Sequence, residues 1–128
     1  AGAREFKCFD SAASLVAISP DGQVIATNQD RGILLLDAHT GEHRALLRIN
    51  AFGVGVFAVG NLLAVGYSFD YVQVWDYIKH TCVAELHCHT SDVIRIAFSS
   101  DGRLLATASK DDTVRLWRNS KGFFVGET

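Results

Sequence analysis

One pattern recurs three times along this chain of 128 residues. Each copy has an apolar run, a short turn, a second apolar run, a polar loop, and a closing run that ends on a bulky side chain. Those last side chains are Leu36, Trp75 and Trp117, which are 39 and 42 residues apart, so the period is about 40 residues. A repeat of this period built from short strands predicts stacked β-units and directs the search for function towards a binding surface.

The punctuation between the apolar runs predicts successive hairpins. Turn signals such as Asp21-Gly22, Gly60-Asn61 and Asp101-Gly102 cut the runs at regular intervals. Pro20 is the single proline, and it stands in the Ser-Pro-Asp-Gly turn at 19–22, where its fixed φ is useful. The runs are too close for a crossover helix, so the strands should be antiparallel. No window of twelve or more residues keeps a helical apolar period, and we expect no helix longer than two turns.

Four strands are predicted for each copy. They lie near 13–18, 23–28, 32–37 and 43–49 in the first copy, near 54–59, 62–67, 71–76 and 82–87 in the second, and near 93–98, 104–109, 113–118 and 123–127 in the third. Residues 5–9 alternate in polarity, and we expect them to be the outer strand of a preceding unit.

Several of these residues give the chain a resemblance to the WD-repeat β-propeller family. They are Trp75-Asp76, His89 three residues before Asp92, the Asp-Gly turns, and the spacing from Asp111 to Trp117. The resemblance covers about residues 5–127 and implies an all-β propeller segment of about three four-stranded antiparallel blades, in a ring that this chain alone does not close. It implies one propeller domain over 1–128, with blades at about 12–49, 52–88 and 92–128 and the preceding outer strand at 5–9.

The family resemblance also implies a structural tetrad of hydrogen-bonded side chains. Carried over by position, the tetrad is His89, Thr107, Asp111 and Trp117. A buried imidazole and a buried indole N–H both need hydrogen-bond partners, which a carboxylate and a hydroxyl supply. The second copy has Val65 and Phe69 in place of the hydroxyl and the carboxylate, and the first copy has Ala26 and Leu36 in place of the hydroxyl and the tryptophan. We therefore expect only the third blade to carry the full network.

Partners in this family dock on the rim formed by loops at one end of the blades. By position, the candidate rim residues are Asp92, Ile94 and Lys110 in the third copy, Ser68, Phe69 and Tyr71 in the second, and Gln29 and Ser14 in the first. The alternatives are that the polar residues are solvated loop ends and that the aromatic ones cover neighbouring blades. A flat, rigid rim of mixed charge is typical of surfaces that bind other proteins or peptides.

Metal and catalytic sites are not expected. The cysteines are Cys8, Cys82 and Cys88, and together with His80, His87 and His89 they lack the ligand spacing of a structural zinc site. Reduced thiols in an intracellular protein, in cytoplasm or nucleus, explain an odd number of cysteines most simply. Ser109, His89 and Asp111 could form a catalytic triad, but no Gly-x-Ser-x-Gly elbow is present. We expect no cofactor, no metal and no enzymatic activity.

Charge and length bound the remaining functions. The net charge of −2 gives no electrostatic reason for direct binding to nucleic acid or to an anionic membrane, and no apolar run is long enough to cross a bilayer. Since methionine is absent and closed propellers use four to eight blades, we expect a part of a longer propeller chain, or several copies that close one ring. The predicted function is a non-catalytic scaffold for protein–protein interactions in a larger complex; the alternative is a propeller component of a ribonucleoprotein or other nucleic-acid-associated assembly.

Overall fold

The computed structural model of the protein describes residues 3, 5–6, 16–29, 32–48, 54–57, 60–66, 71–87, 89–120 and 123–126. Within these ranges it contains twelve β-strands and no helix. The strands are β1 (Val16–Ile18), β2 (Val24–Gln29), β3 (Gly32–Asp37), β4 (His43–Leu47), β5 (Val54–Phe57), β6 (Leu62–Gly66), β7 (Tyr71–Asp76), β8 (Thr81–His87), β9 (Val93–Phe98), β10 (Leu104–Ser109), β11 (Val114–Ser120) and β12 (Phe123–Gly126).

These strands form three antiparallel sheets of four strands each. The first sheet is β1-β2-β3-β4, the second is β5-β6-β7-β8 and the third is β9-β10-β11-β12, so every strand pairs with its neighbour in sequence. None of the described sheets closes on itself into a barrel. The predicted fold class, an all-β segment of four-stranded antiparallel units, is therefore confirmed.

The strand bounds agree with the pattern of the sequence to within a few residues. β9 and β10 match the predicted ranges 93–98 and 104–109. β11 runs on to Ser120, beyond the predicted end at 118, because Asn119 and Ser120 continue the pairing with β12 opposite Phe124 and Phe123. Residues 13–15 of the first predicted strand and residues 7–9 of the predicted outer strand lie outside the described residues.

Burial follows the position of each strand in its sheet. In β3, Ile33, Leu34, Leu35 and Leu36 are all buried, as expected for a central strand with a covered face on both sides. In β7, buried positions such as Val72 and Val74 alternate with half-buried ones, which is the two-residue period of a strand. The apolar runs of the sequence are therefore the inner strands of the sheets.

Two hydrophobic clusters fill the spaces between the sheets. The first joins side chains of the first and second sheets, among them Ile33, Leu35, Leu63 and Val65, and Trp75 packs against it. The second joins the second and third sheets through Val72, Val74, Val93 and Leu105, and Trp117 packs against it. Each tryptophan at the end of a third strand thus lies where one sheet meets the sheet before it.

The first and third sheets share one turn geometry between their first two strands. Ser19 donates its hydroxyl to Asp21 Oδ1 at 2.7 Å, and Ser99 does the same to Asp101 at 2.7 Å. Gly22 and Gly102 follow, each with φ of 74°, a left-handed conformation that glycine adopts without steric cost. The Asp-Gly signals of the sequence therefore correspond to real, nearly identical turns.

The outer faces of the first and third sheets carry exposed apolar side chains. Val16 and Ile18 of β1 are 75% and 60% exposed. On the third sheet, Val114 and Leu116 of β11 are exposed beside Phe123 and Val125 of β12. On the first sheet, Leu34 and Leu36 of the same face are already buried, so only the third sheet leaves a contiguous apolar face, which monomeric proteins rarely leave in water.

Candidate functional site

The most connected group of polar side chains lies at one end of the third sheet. His89 stands in the segment 89–92 that leads into β9, and Asp111 stands in the turn 110–113 between β10 and β11. Thr107 is in the middle of β10, where it is buried, and Trp117 is on β11, opposite Leu105. The sheet therefore brings together four side chains from three separate parts of the sequence.

His89 is the centre of this group. Its side chain is only 1% exposed. Its Nδ1 lies 3.0 Å from Asp111 Oδ2, and its Nε2 lies 2.7 Å from the Thr107 hydroxyl oxygen. An ionised carboxylate can only accept a hydrogen bond, so Nδ1 carries the hydrogen, and Nε2 of the neutral ring then accepts from Thr107. The Asp111 side chain thereby fixes the tautomer and the orientation of the ring.

Trp117 joins the same network through its indole. Its Nε1–H donates to the Thr107 hydroxyl oxygen at 3.3 Å. A hydroxyl can donate one hydrogen bond and accept two, so Thr107 can serve the imidazole and the indole together. The four residues assigned by the family resemblance are thus within hydrogen-bonding distance of one another in the order Trp117, Thr107, His89, Asp111.

Asp111 is held by several donors besides His89. Its oxygens accept from the hydroxyl and the backbone N–H of Thr113, and from the backbone N–H of Thr90 at 2.9 Å. These bonds, the Thr113 hydroxyl first among them, hold the pKa of Asp111 well below its usual value, so the carboxylate is ionised at neutral pH. The turn 110–113 and the segment 89–92 are therefore tied together by one carboxylate.

Sequence reasoning missed the structural role of two hydroxyl groups, and it considered Ser109 only as a possible nucleophile. The Thr113 hydroxyl lies 3.1 Å from His89 Nδ1, which makes it a fifth side chain of the network. Ser109 donates its hydroxyl to the backbone oxygen of Ser91 at 3.1 Å and accepts the backbone N–H of Asp111 at 3.1 Å. Asp followed two residues later by Thr is a common turn signal and could have pointed to Thr113.

The possible catalytic triad is not assembled. The hydroxyl of Ser109 points to a backbone carbonyl of the segment 89–92, and both ring nitrogens of His89 are engaged by Asp111, Thr113 and Thr107. A general base must reach the hydroxyl that it activates. His89 therefore has no acceptor position left for Ser109.

The candidate rim residues of the third sheet lie around this network. Lys110 donates its backbone N–H to the backbone oxygen of Asp92 at 2.9 Å, and its Nζ lies 3.7 Å from Asp92 Oδ2. Ile94, at the second position of β9, is 38% exposed. The predicted mixed charge at this end of the third sheet is thus an ion pair between two of the predicted residues, with an apolar side chain beside it.

The remaining rim candidates are placed less favourably. Tyr71 is the first residue of β7, not a turn residue, and its half-buried ring stacks on His87 with centroids 4.7 Å apart. Gln29 is the last residue of β2. Ser14, Ser68 and Phe69 lie outside the described residues.

The second sheet satisfies its tryptophan in a different way. Val65 takes the position of Thr107 and is fully buried. Trp75 Nε1 instead donates to Gln73 Oε1 at 2.9 Å, and Gln73 Nε2 donates to Glu85 Oε2 at 2.6 Å. The indole of the second sheet is therefore hydrogen-bonded to a side chain of its own strand, β7.

The first sheet corrects one assignment from the sequence. Strand pairing places Thr27, not Ala26, at the position of Thr107, because Thr27 lies opposite Leu34 as Thr107 lies opposite Arg115. The sequence comparison slipped by one residue along β2. Thr27 is 3% exposed, and its hydroxyl oxygen has no hydrogen-bond partner among the described residues.

Neither a metal site nor a membrane span is found in the described ranges. These residues contain no group of three or more His, Cys, Asp or Glu side chains arranged to hold a metal ion. His87 Nε2 lies 3.1 Å from Glu85 Oε1. Partial burial raises the pKa of the Cys82 thiol. Cys8 and Cys88 lie outside the described residues. The described residues include no helix long and apolar enough to cross a membrane.

Comparison with known proteins gives one family match and several relatives. The family described as "WD domain, G-beta repeat" matches residues 80–118. The chain is 42% identical over 73 residues to Pre-mRNA-processing factor 19 homolog 2 of Arabidopsis thaliana, covering 53% of the chain and 14% of that protein. It is 31% identical over 104 residues to Guanine nucleotide-binding protein subunit beta-5b of Danio rerio, covering 77% of the chain and 26% of that protein.

A third relative is Anaphase-promoting complex subunit cdc20 of Dictyostelium discoideum, which is 43% identical over 53 residues, or 41% of the chain and 11% of that protein. The matched region spans about a quarter or less of the length of each of these curated relatives. The family match contains β8, the last strand of the second sheet, together with β9, β10 and most of β11, and it includes the complete His89 network.

Proposed function

Because the chain belongs to the WD-repeat β-propeller family, we propose that it is a non-catalytic scaffold that mediates protein–protein interactions within a larger complex. Its three sheets serve as blades, at about residues 12–49, 52–88 and 92–128. Its partners are other proteins or peptides, together with the remaining blades of the same propeller. We place this function inside the cell, in cytoplasm or nucleus.

The observation that carries the proposal is the bonding of His89 to both Asp111 and Thr107. The network ties the segment 89–92 and the turn 110–113 to the middle of β10, so the backbone at this end of the blade is held rigid. A binding surface gains affinity when its loops are ordered before the partner arrives, because less conformational entropy is lost on binding. The network thus supports a preorganised rim.

The same bonds argue against catalysis by these residues. A nucleophile or a general base needs an open hydrogen-bonding position towards substrate. His89 is 3% exposed and is engaged at both ring nitrogens, and Asp111 accepts from two backbone N–H groups and one hydroxyl. These polar groups are used to hold structure.

On the proposed rim, Asp92, Lys110 and Ile94 form the described part of the contact surface. The ion pair of Asp92 and Lys110 is exposed, with side chains 37% and 63% accessible. Exposed pairs of this kind contribute little to folding, which leaves both charges available to select a partner. The curated relatives include a protein named as a subunit of the anaphase-promoting complex and one named as a guanine nucleotide-binding protein subunit, which supports a role in assemblies.

The test is quantitative affinity purification of the full chain from its own cells. The variant Asp92→Lys with Lys110→Asp exchanges the two charges and keeps the ion pair, so the blade should fold normally while losing partners that read the charge order. Lys79→Asp, on an exposed turn outside the rim, is the control. If the exchanged variant retained every partner, the charges of Asp92 and Lys110 would not take part in partner selection.

A second candidate is a place in a ribonucleoprotein or another nucleic-acid-associated assembly. One relative is named as a pre-mRNA-processing factor, and this supports the candidate. The net charge of −2 predicts that the contact would be made by partner proteins or by residues elsewhere, not by this surface. Salt-dependent RNA binding by the full chain would favour the second candidate, and no binding at low salt would favour the first.

A further inference from the structure

The register of the three sheets places Asp37, Asp76 and Arg118 at equivalent positions. Asp37 lies opposite Val24, the first residue of its second strand, and Asp76 lies opposite Leu62 in the same way. Arg118 lies opposite Leu104, again the first residue of the second strand. The third sheet therefore has a positive charge at the position where the other two have a negative one.

In the first two sheets, the aspartate closes the turn that follows it. Asp37 Oδ1 accepts the backbone N–H groups of His39 and Thr40 at 2.8 and 2.9 Å. Asp76 Oδ1 accepts those of Ile78 and Lys79 at 3.1 and 2.9 Å. Both carboxylates therefore stabilise the turn that follows them, at the end of the sheet opposite the rim.

A second position changes together with the first. In the second sheet, the side-chain amide of Asn61 donates to Asp76 Oδ2. The residue equivalent to Asn61 is Arg103, because Asn119 donates its backbone N–H to the Arg103 oxygen at 2.8 Å as Tyr77 does to the Asn61 oxygen at 3.0 Å. The backbone frame is the same, but arginines occupy the two positions at which the second sheet has Asn61 and Asp76.

The two arginines line one cavity of about 360 Å³. The turn beside it is fixed, since Asn119 also donates its side-chain amide to the Gly102 backbone oxygen at 3.3 Å. The carboxylate of Asp101 is at the cavity too: its Oδ1 accepts from the Ser99 hydroxyl and the Arg103 backbone N–H, and its Oδ2 lies 4.0 Å from Arg103 Nε in an exposed ion pair. With two guanidinium groups and one carboxylate, the lining has a net charge of +1. The remaining lining residues are Ser99, Leu104, Asn119 and Ser120.

We propose that this cavity binds an oxyanion carried by a partner peptide, either the carboxylate of an acidic side chain or a phosphate. The bound group would stand in for the aspartate that the third sheet lacks, facing Arg103 and Arg118. Guanidinium groups bind carboxylate and phosphate in a planar, two-point geometry, which makes arginine well suited to such a site. The site lies at the end of β10 that begins with Leu104, whereas the proposed rim lies beyond Ser109, about 17 Å away at the usual rise of a strand. It is therefore a second binding surface, distinct from the proposed rim.

The test uses fluorescence anisotropy with the full chain at low salt and three labelled eight-residue peptides. The peptides carry glutamates, a phosphoserine, or glutamines at the same central positions. The variants are Arg118→Asp and Arg103→Asn, which install the residues of the second sheet and should fold. Lys79→Asp is the control for net charge, since Lys79 lies in the turn after β7, at the corresponding end of the second sheet. We expect the glutamate or the phosphoserine peptide to bind, and each cavity variant to weaken binding by roughly tenfold or more, since each removes a charge-assisted hydrogen bond.

Each outcome decides the proposal. Preference for the phosphoserine peptide identifies phosphate as the group, and equal or better binding of the glutamate peptide identifies carboxylate. Equal weakening by Lys79→Asp would mean that net charge, not the cavity, attracts the peptides, and the proposal would fail. Binding of the glutamine peptide at the same affinity, or no binding of either acidic peptide, would overturn it as well.

Discussion

Thr27 and Thr107 occupy the same register position in the first and third sheets, yet only one of the two hydroxyl groups is hydrogen-bonded among the described residues. Thr107 is 2.7 Å from His89 Nε2 and 3.3 Å from Trp117 Nε1. Thr27 is equally buried, and the residue equivalent to Trp117 is Leu36, which offers no donor. The same residue type in the same place therefore has opposite energetic value in the two sheets.

This difference leads to a matched pair of substitutions. Thr107→Val keeps the side-chain shape but leaves an imidazole nitrogen and an indole N–H without a partner, and we expect a loss of about 1–3 kcal/mol in the free energy of unfolding. Thr27→Val removes a buried hydroxyl that has no described partner, and should be neutral or stabilising. Chemical denaturation of the full chain measures both changes. A similar loss in the two variants would contradict the assignment.

The alternative bonding of the second sheet predicts the effect of Gln73→Leu. The change removes the acceptor that Trp75 Nε1 uses at 2.9 Å and leaves a half-buried indole N–H unsatisfied. We expect a loss of about 0.5–1.5 kcal/mol in the free energy of unfolding, together with a shift in tryptophan fluorescence. Glu85→Gln is the control, because its side chain can still accept from Gln73 and the indole contact is kept. An unchanged fluorescence spectrum in Gln73→Leu would show that the indole bond is absent in solution.

Asp37 predicts a loss of stability at acid pH. The backbone N–H groups of Thr40 and His39 hold the pKa of Asp37 at about 2, below its usual value of 3.8. Because the pKa is lower in the folded state, the ionised group stabilises the fold above pH 3.8, and this contribution is lost as the pH falls towards 2. Asp37→Asn should therefore lower the unfolding midpoint at neutral pH, and the difference from the wild type should shrink as the pH falls through this range. If the difference in unfolding midpoint stayed constant with pH, the ionisation of Asp37 would be excluded as its cause.

Gly41 and Gly22 form a pair that separates backbone strain from steric overlap. Both have a left-handed φ, 75° for Gly41 and 74° for Gly22, so an added Cβ should cost about 1 kcal/mol at either position. At Gly41 the new carbon would also overlap the ring of Phe6, whereas at Gly22 nothing lies within 4 Å. Gly41→Ala should therefore lower the thermal midpoint more than Gly22→Ala does. Equal midpoints would mean that Phe6 does not pack on this turn in solution.

The exposed outer face of the third sheet predicts self-association of the 128-residue chain. Leu116 is 40% exposed, beside Phe123 at 75% and Val125 at 58%. Analytical ultracentrifugation should show oligomers or aggregates for the wild type and fewer of them for Leu116→Lys. Val83→Lys is the control, since Val83 is 42% exposed on β8, away from this face. A cooperatively unfolding wild-type monomer would show that the face needs no cover.

The sheets could be predicted from the sequence for a physical reason, and the members of the His89 network came from the family resemblance. Apolar runs of strand length between Asp-Gly turns allow few pairings other than successive hairpins, and a buried histidine and tryptophan require polar partners. The assignment of Ala26 was wrong by one residue: Val24-Ile25-Ala26-Thr27 aligns with Leu104-Leu105-Ala106-Thr107, so the hydroxyl position falls on Thr27. The pairing of Thr27 with Leu34 shows the same register.

Other parts of the site depend on contacts across strands that no local pattern contains. The bond from Gln73 to Glu85 joins residues that are 12 apart in sequence and lie directly opposite each other on β7 and β8. The bulge between Val74 and Trp75 lies next to this pair. The proximity of Arg103 and Arg118 at one cavity likewise follows from the pairing of β10 with β11, which places Arg118 opposite Leu104. Thr113 and Ser109 were missed because a hydroxyl in a turn has many possible partners, and geometry alone selects among them.

The bond from Trp75 to Gln73 has a consequence for how this chain can diverge. In the third sheet, the tryptophan depends through Thr107 on a histidine of the preceding loop, so a substitution in that loop disturbs the interior. In the second sheet, the indole is satisfied by a neighbour two residues away on its own strand. The loop before β5 is therefore released from that constraint, and mutations there can accumulate without penalty to Trp75. Among related sequences, we expect length and composition to drift faster before β5 than before β9.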